Sequence, residues 1–432
     1  MARFSPAGPL RGSLRPPADK SISHRAALIA AMSEGKTEIE GYLDAADTRA
    51  TLAAAEALGA GVDGVEEDGL AAELRVTGIG LQGAVSAEID VGNAGTLLRL
   101  LPGWLAGQPG GTWELDGDES IRRRPVDRIV EPLRQMGAHL SARDDRLSPL
   151  EVEGAPLRGI SYELPVASAQ VKSCLLFAGL LAEGETRVIE PLPTRDHSER
   201  MLAAAGAGVE RDGQAVVVRP AERLEVGRIV VPGDFSSAAF FVAAGLVVPG
   251  SEVRLEGVGL NPTRTGLLAI LERMGAEVEV VATGEQGGEP TGTIVVRSSE
   301  LRGTEVGGSE VPLAIDELSL VALAACFAEG TTTIRDAAEL RRKESDRIAT
   351  VAEALNALGG KVEASEDGMA IEGTGGLRGG RVDSHGDHRI AMLGAVAGLA
   401  SNEGVEVEGM DAAAVSYPGF ESDLASLLEP GP

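Results

Sequence analysis

One unit recurs six times along this chain, and any fold must accommodate six copies of it. Each copy opens with a small or acidic polar cluster and runs into an Ala/Leu-rich helix. A Gly-containing turn then leads to a strand. A second helix often follows, closing on Met/Leu-Gly-Ala, and a short hairpin ends the unit. The openings are Ala18-Asp19-Lys20-Ser21, Gly92-Asn93-Ala94-Gly95, Ala167-Ser168-Ala169-Gln170, Gly233-Asp234-Phe235-Ser236, Ile315-Asp316-Glu317-Leu318 and Gly386-Asp387-His388-Arg389. Second helices close at Leu58-Gly59-Ala60, Met136-Gly137-Ala138, Ala205-Gly206-Ala207, Met274-Gly275-Ala276 and Leu358-Gly359-Gly360, with glycine where a left-handed cap is usual. The sixth copy is cut short. Helix and strand alternating in this order predict an α/β protein of two domains with three units each. The boundary falls near 227–232, giving 18–231 as one domain and 1–17 with 232–432 as the other.

Composition narrows the chemistry. With 57 Gly and only 3% aromatic residues among 43% hydrophobic ones, the cores must be built from Ala, Val, Leu and Ile with close backbone approach. A net charge of −27 argues against nucleic acid and anionic membrane surfaces as partners. It also means that a site for an anionic ligand has to concentrate cations locally. No apolar run is long enough to span a bilayer, and the N-terminus has no apolar signal-like core, so a soluble cytoplasmic protein is expected. Cys174 and Cys326 sit in apolar runs and are expected to be buried free thiols.

The cations do cluster at helix starts, where unpaired backbone N–H groups and the helix dipole favour anions. Leu340–Ile348 reads L-R-R-K-E-S-D-R-I, just where a helical pattern begins that runs through Ile348, Val351, Ala352, Leu355 and Leu358. There Lys343, Glu344 and Arg347 suit an anionic ligand with a proton carrier beside it; the alternative is a solvated, salt-bridged helix start. Lys20, Ser21 and Arg25 share another opening, with Arg25 one turn beyond Ser21. Gly92 and Gly95 allow close backbone approach, and Asp118–Pro125 brings three successive arginines, of which Arg124 is the best placed to grip an anion. Ser168, Ala169 and Gln170 offer a hydroxyl, backbone N–H groups and an amide, with Arg195 downstream. The Gly233 opening has no cation and reads as a cap. Asp316 caps or catalyses, and Arg389 binds an anion or merely follows a cap. His385 and His388 have a metal-like spacing but no third His or Cys ligand nearby, so no metal is expected. There is no G-x-S-x-G elbow, P-loop or G-x-G-x-x-G. The residues alone thus suggest proton-transfer chemistry on small, multiply anionic ligands without a cofactor.

These residues fall into motifs that resemble the 5-enolpyruvylshikimate-3-phosphate synthase family from about Pro17 to Phe420. They are D-K-S-I-S-H-R-A, G-N-A-G-T-x-x-R, R-R-P, S-A-Q-V-K, R-D-H-S-E, L-R-x-K-E-S-D-R and G-D-H-R-I-A-M, and S-A-Q-V-K, R-D-H-S-E and D-H-R look like the second of the family's two classes. The resemblance implies the enolpyruvyl transferase fold, an inside-out α/β barrel of two threefold-repeat domains that close around shikimate 3-phosphate and phosphoenolpyruvate. It further implies a cytoplasmic monomer, no cofactor, and glyphosate as an inhibitor. By motif, Lys20, Ser21, Arg25, Ser168, Ala169, Gln170, Arg195, Asp316 and Lys343 would bind shikimate 3-phosphate. Lys20, Gly95, Arg124, Gln170, Arg347 and Arg389 would bind phosphoenolpyruvate. Asp316 would take the 5-hydroxyl proton, and Glu344, helped by Lys20, would deliver and later remove the methylene proton. Two positions depart from the first class: Val415 stands where that class has a lysine, and Glu339 where it often has an amide. UDP-N-acetylglucosamine enolpyruvyl transferases share the fold and donor but usually open with Lys-Asn and carry a reactive loop cysteine, which this chain lacks. A non-catalytic acidic scaffold would leave the clustered cations unexplained.

Overall fold

The computed structural model describes residues 1–66 and 69–428. The helices of its first half are α1 (Lys20–Met32), α2 (Ala46–Ala57), α3 (Gly95–Ala106), α4 (Asp127–Gln135), α5 (Ala169–Gly179) and α6 (His197–Ala204). In the second half lie α7 (Phe235–Val247), α8 (Gly266–Arg273), the short α9 (Val311–Ala314), α10 (Leu318–Phe327), α11 (Arg347–Ala357), α12 (His388–Ala400) and α13 (Phe420–Ser426). The six openings lead into α1, α3, α5, α7, α10 and α12. Second helices α2, α4, α6, α8 and α11 stop where their glycines take φ between 89° and 106°, a region costly for residues with a Cβ.

Each copy contributes one small mixed sheet. Five sheets have four strands and the sixth has three. A strand before the first helix pairs in parallel with the strand after it, as Ala87–Asp90 does with Thr112–Asp116 around α3. An antiparallel hairpin then completes the sheet; Thr112–Asp116 pairs with Leu147–Glu153, which pairs with His139–Arg143. In two copies this leading strand is exchanged. Arg11–Leu14 precedes α1 in the chain but pairs with Glu252–Gly259, whereas Arg228–Val230 precedes α7 but pairs with Glu34–Glu40. Ala2–Phe4 completes the three-stranded sheet beside Val405–Glu408. The strands thus knit the chain into two units. One comprises 18–232 with 285–289, and the other comprises 1–17, 233–284 and 290–432.

Each unit has its own apolar core, and the first helices lie inside it. Helix α1 is buried from Ile22 to Met32, and α7 along its whole length. A helix covered on all sides has no polar face, which explains why these segments read as continuous Ala/Leu/Val/Gly runs instead of amphipathic stripes. Small side chains let the helices approach. A Cβ placed on Gly103 of α3 would stand 2.1 Å from the Cys174 carbonyl oxygen of α5. That neighbour is backbone and cannot rotate away. Both cysteines are free and buried, and burial pushes the Cys326 thiol up to about 12 and the Cys174 thiol higher still. Among the described residues no helix is long and apolar enough to cross a membrane.

Gly103→Ala is expected to lower the stability of the first unit by roughly 1–3 kcal/mol, the usual cost of overpacking. Urea unfolding measures it, and an unchanged midpoint would mean that α3 and α5 can separate freely.

Candidate active site

Within each unit, polar side chains gather at the N-terminal ends of the buried first helices. In the first unit, Asp19 caps α1 by accepting from the Ile22 N–H at 2.9 Å, and Lys20 follows with its ammonium 2.6 Å from Asp47 of α2. Burial raises the Asp47 carboxyl, but Lys20 and its other charged neighbours outweigh burial and hold it below the usual carboxylate range. Arg25, one turn on, is buried. Its guanidinium donates to Ser198 Oγ (2.7 Å), Ser173 Oγ (2.9 Å) and the Ser21 carbonyl (2.8 Å), tying α1 to α5 and α6.

The second and third openings meet directly. Arg99 of α3 donates to Gln170 Oε1 of α5 at 3.2 Å and to the Gly95 carbonyl at 3.1 Å, and the Gln170 amide donates to Thr96 Oγ1 at 3.2 Å. Arg124 is steered to the same helix end by Asn93 Oδ1 at 2.9 Å and Ser120 Oγ at 3.2 Å. Gly95 leaves room for both guanidinium groups, since a Cβ there would lie 2.8 Å from Arg124 Nη1 and 3.0 Å from Arg99 Nη1. Ser168 caps α5 through the Val171 N–H. Arg195 is half-buried in the segment leading to α6.

In the second unit Arg347 is the hub. Its side chain is only 2% exposed and faces three carboxylates: Asp387 at 2.8 Å, Glu344 at 2.6 Å and Asp316 at 3.3 Å. Burial alone would lower its pKa, but Asp387, Glu344 and Asp316 together push it above the ordinary arginine value. Lys343 donates to the same Asp316 oxygen at 3.1 Å, and Arg389 Nη1 donates to the Asp316 carbonyl at 2.8 Å. Ser236 of α7 donates to Glu317, so the starts of α7, α10 and α12 are joined. Leu340–Ile348 divides as the sequence suggests: α11 begins at Arg347 behind an Asp346 cap, and Lys343 and Glu344 lie just before it.

Sequence reading passed over several of these residues. Asp47 and Asp387 carry the signal of an ordinary N-terminal carboxylate, and only their partners distinguish them. Arg99 lies in the quoted G-N-A-G-T-x-x-R motif, four residues after Gly95, which places it on the Gly95 face of the helix. The Gly233 opening does cap α7, yet it is not inert: Asp234 also accepts from buried Arg264 at 2.9 Å, and Ser236 reaches Glu317. Val415 ends a short turn and brings no cation, and Glu339 pairs with Arg342 at 3.8 Å. Among the described residues one trio has donor atoms within 4.8 Å of one another, as a metal would need: Asp196, His197 and Glu289. His197 already bonds Glu289 at 2.7 Å and Arg200 donates to Asp196 at 2.9 Å, so a guanidinium holds the place next to the carboxylate.

The chain as a whole matches a known set of proteins. A family profile described as EPSP synthase (3-phosphoshikimate 1-carboxyvinyltransferase) covers residues 4–424. The chain belongs to the EPSP synthase family. Among its relatives, the 3-phosphoshikimate 1-carboxyvinyltransferase of Anaeromyxobacter sp. (strain Fw109-5) is 53% identical, covering 98% of this chain and 97% of the other. That of Synechococcus sp. (strain JA-3-3Ab) is 50% identical, covering 99% and 96%. A solved EPSP synthase from Acinetobacter baumannii superposes with a TM-score of 0.87 at 41% identity, covering 98% of this chain and 97% of that one. The enolpyruvyl transferase fold expected from the motifs is therefore the fold of this EPSP synthase family member.

A titration follows from the Lys20 end. His24 is fully buried with Nδ1 2.6 Å from Thr51 Oγ1. Burial first, then Lys20 and Arg25, outweigh Asp47 and lower its pKa from 6.5 to about 3. Between those values the unfolded chain binds the extra proton, so stability rises with pH across the window. From pH 5 to 6.5, above most carboxylate titrations, the native chain should gain about 1.5 kcal/mol relative to His24→Gln, as read by urea unfolding at each pH. Parallel pH profiles would show that the ring is not held neutral.

Proposed function

We propose that this chain, as a cytoplasmic monomer, transfers the enolpyruvyl group of phosphoenolpyruvate to the 5-hydroxyl of shikimate 3-phosphate, using the side chains at its buried helix ends. The observation that carries this reading is the second-unit cluster: the carboxylates Asp316 and Glu344 share Arg347, and Asp316 also pairs with Lys343. Such a cluster sets two carboxylates beside cations, one placed to accept a proton and the other to carry one.

In this reading Lys20, Ser21, Arg25, Ser168, the Ala169 N–H, Gln170 and Arg195 bind shikimate 3-phosphate. Lys343 and Asp316 hold its ring hydroxyls. Phosphoenolpyruvate is bound by Lys20, the Gly95 helix end, Arg124, Gln170, Arg347 and Arg389. Asp316 takes the 5-hydroxyl proton as the oxygen forms its bond to C2 of phosphoenolpyruvate, and Glu344, with Lys20, places a proton on C3. The resulting tetrahedral intermediate loses that C3 proton to Glu344 as the C2–O bond to phosphate breaks. Atoms balance as enolpyruvyl ether plus inorganic phosphate, with the 5-hydroxyl proton passing from Asp316 to the departing phosphate. The cations lower the barrier by stabilising the phosphate as it departs. Every cation of the second-unit cluster is already paired, so an arriving anion exchanges carboxylates for ligand oxygens. Displacing Glu344 from Arg347 leaves it beside negative charge, the condition that favours proton uptake.

Phosphate release from phosphoenolpyruvate tests the reading: shikimate 3-phosphate should support it, and UDP-N-acetylglucosamine should not. Absence of release with shikimate 3-phosphate would reject the assignment. Cys174, buried within α5 with its thiol pushed up by burial, cannot serve as the reactive cysteine of the rival enzyme. Asp316→Asn is expected to keep ligand binding while turnover falls by about 10²–10⁴; a near-normal rate would remove Asp316 as the base. For Gly95→Ala, the added methyl meets Arg124 and Arg99 and should displace these cations. KM for phosphoenolpyruvate is expected to rise about tenfold, a loss of roughly 1.4 kcal/mol, and glyphosate inhibition to weaken further. Equal changes in the KM values of both substrates would point to general misfolding instead.

A further inference from the structure

Lys172 stands apart from the cations discussed above. It is fully buried, two residues beyond Gln170. Its ammonium lies 2.6 Å from Glu199 of α6 and 2.9 Å from Glu190, and it donates to the Thr194 carbonyl at 3.4 Å. Glu190 also accepts from the Thr194 N–H at 3.1 Å and from the Thr194 hydroxyl, while its other oxygen takes a bond from Arg211 at 2.6 Å. One ammonium therefore joins α5, the start of the 190–194 segment, its end, and α6. Arg195 is the next residue along.

We infer that Lys172 is a positioning residue: it sets the distance between the Ser168–Gln170 end of α5 and Arg195, and so the geometry in which shikimate 3-phosphate is recognised. The inference rests on the proposed roles of Ser168, Gln170 and Arg195. Burying an ammonium is expensive, and an apolar side chain of similar length would fill the same volume at lower cost. What methionine cannot do is bond Glu190, Glu199 and the Thr194 carbonyl together. Without those bonds the 190–194 segment keeps its Glu190–Thr194 contacts and the bonds of Glu190 to Arg211 and the Gln214 carbonyl, but it loses the ammonium that joins it to α5 and α6, and with it the spacing of Arg195 from α5. A displacement of about 1 Å at a binding group is enough to cost up to two orders of magnitude.

The charge balance suggests how to separate positioning from simple neutralisation. Two carboxylates, Glu190 and Glu199, face two cations, Lys172 and Arg211. Burial, first among its influences, already raises the Glu199 pKa despite Lys172. In Lys172→Met that carboxyl group is left buried without its cation. Lys172→Met with Glu199→Gln removes both charges together and restores the balance without restoring the links.

The experiment measures KM for each substrate, kcat and the unfolding midpoint for four proteins: wild type, Lys172→Met, the double variant and Arg195→Ala. Lys172→Met is expected to raise KM for shikimate 3-phosphate about tenfold or more, with kcat and KM for phosphoenolpyruvate changed less than about threefold. The double variant is expected to recover the unfolding midpoint but keep the raised KM. A KM that returns to the wild-type value in the double variant would overturn the inference, since neutralisation would then be the whole role. An unchanged KM in Lys172→Met would overturn it too, provided Arg195→Ala raises KM. If Arg195→Ala leaves KM for shikimate 3-phosphate unaltered, the ring-binding assignment falls and the inference with it. Should Lys172→Met alone fail to fold, the double variant decides by its KM.

Discussion

A helix buried on every side can carry polar groups only near its N-terminal end or where a buried partner satisfies them, and this constraint organises the whole chain. Each unit places three such helices in its core, and their interiors are made mostly of Ala, Leu, Val, Ile and Gly. Close approach, as of Gly103 to the Cys174 carbonyl, replaces the bulk that aromatic residues would have supplied. Polarity is left to the N-terminal turns, where free N–H groups already favour anions. The side chains with chemical potential are therefore found where the fold cannot bury an apolar one. Core architecture and candidate site are two results of one packing arrangement.

This acidic chain holds its helix-end cations by internal pairing. Lys20 is paired with Asp47, and Arg347 is shared by Asp387, Glu344 and Asp316. Such pairs cost desolvation, which their mutual attraction offsets only with good geometry and further hydrogen bonds. Here the further bonds exist. Asp387 also caps α12 through the Arg389 N–H and accepts from Ser345, so its charge is fixed by three kinds of donor. The Asp387 carboxyl is accordingly held low: burial raises it, and Arg347 more than reverses that. In the proposed chemistry an arriving anion would exchange with these carboxylates instead of meeting bare cations, which would link its binding to the protonation of Glu344.

How far the residues revealed this varied with the range of the interaction. The order of elements was legible because it is local: apolar runs, glycines after second helices and alternating strands are read within one copy. Lys343, Glu344 and Arg347 were legible as a group because they are consecutive at a helix start. Arg25 was half legible. Its bond to the Ser21 carbonyl follows from four-residue spacing, but its bonds to Ser173 and Ser198 span about 150 residues or more and left no trace in spacing. For the leading strands only the division of the chain was legible, which puts 1–17 with 232–432; their pairing partners were not. Arg11–Leu14 and Arg228–Val230 are short and unremarkable in pattern, and each stands before a first helix as its counterparts do.

The sequence by itself determined the sixfold repeat, the α/β class, the apolar helices and the clustering of cations at their starts. These follow from local propensity, capping and periodicity, which a single segment expresses without its neighbours. Only the tertiary structure decided the exchange of leading strands, the pairing of Asp47 with Lys20 and of Asp387 with Arg347, and the junction at Lys172. The physical reason is common to all of them. A strand edge, a carboxylate or an ammonium has many acceptable partners, and the choice among them depends on which segments the buried helices bring within bonding distance.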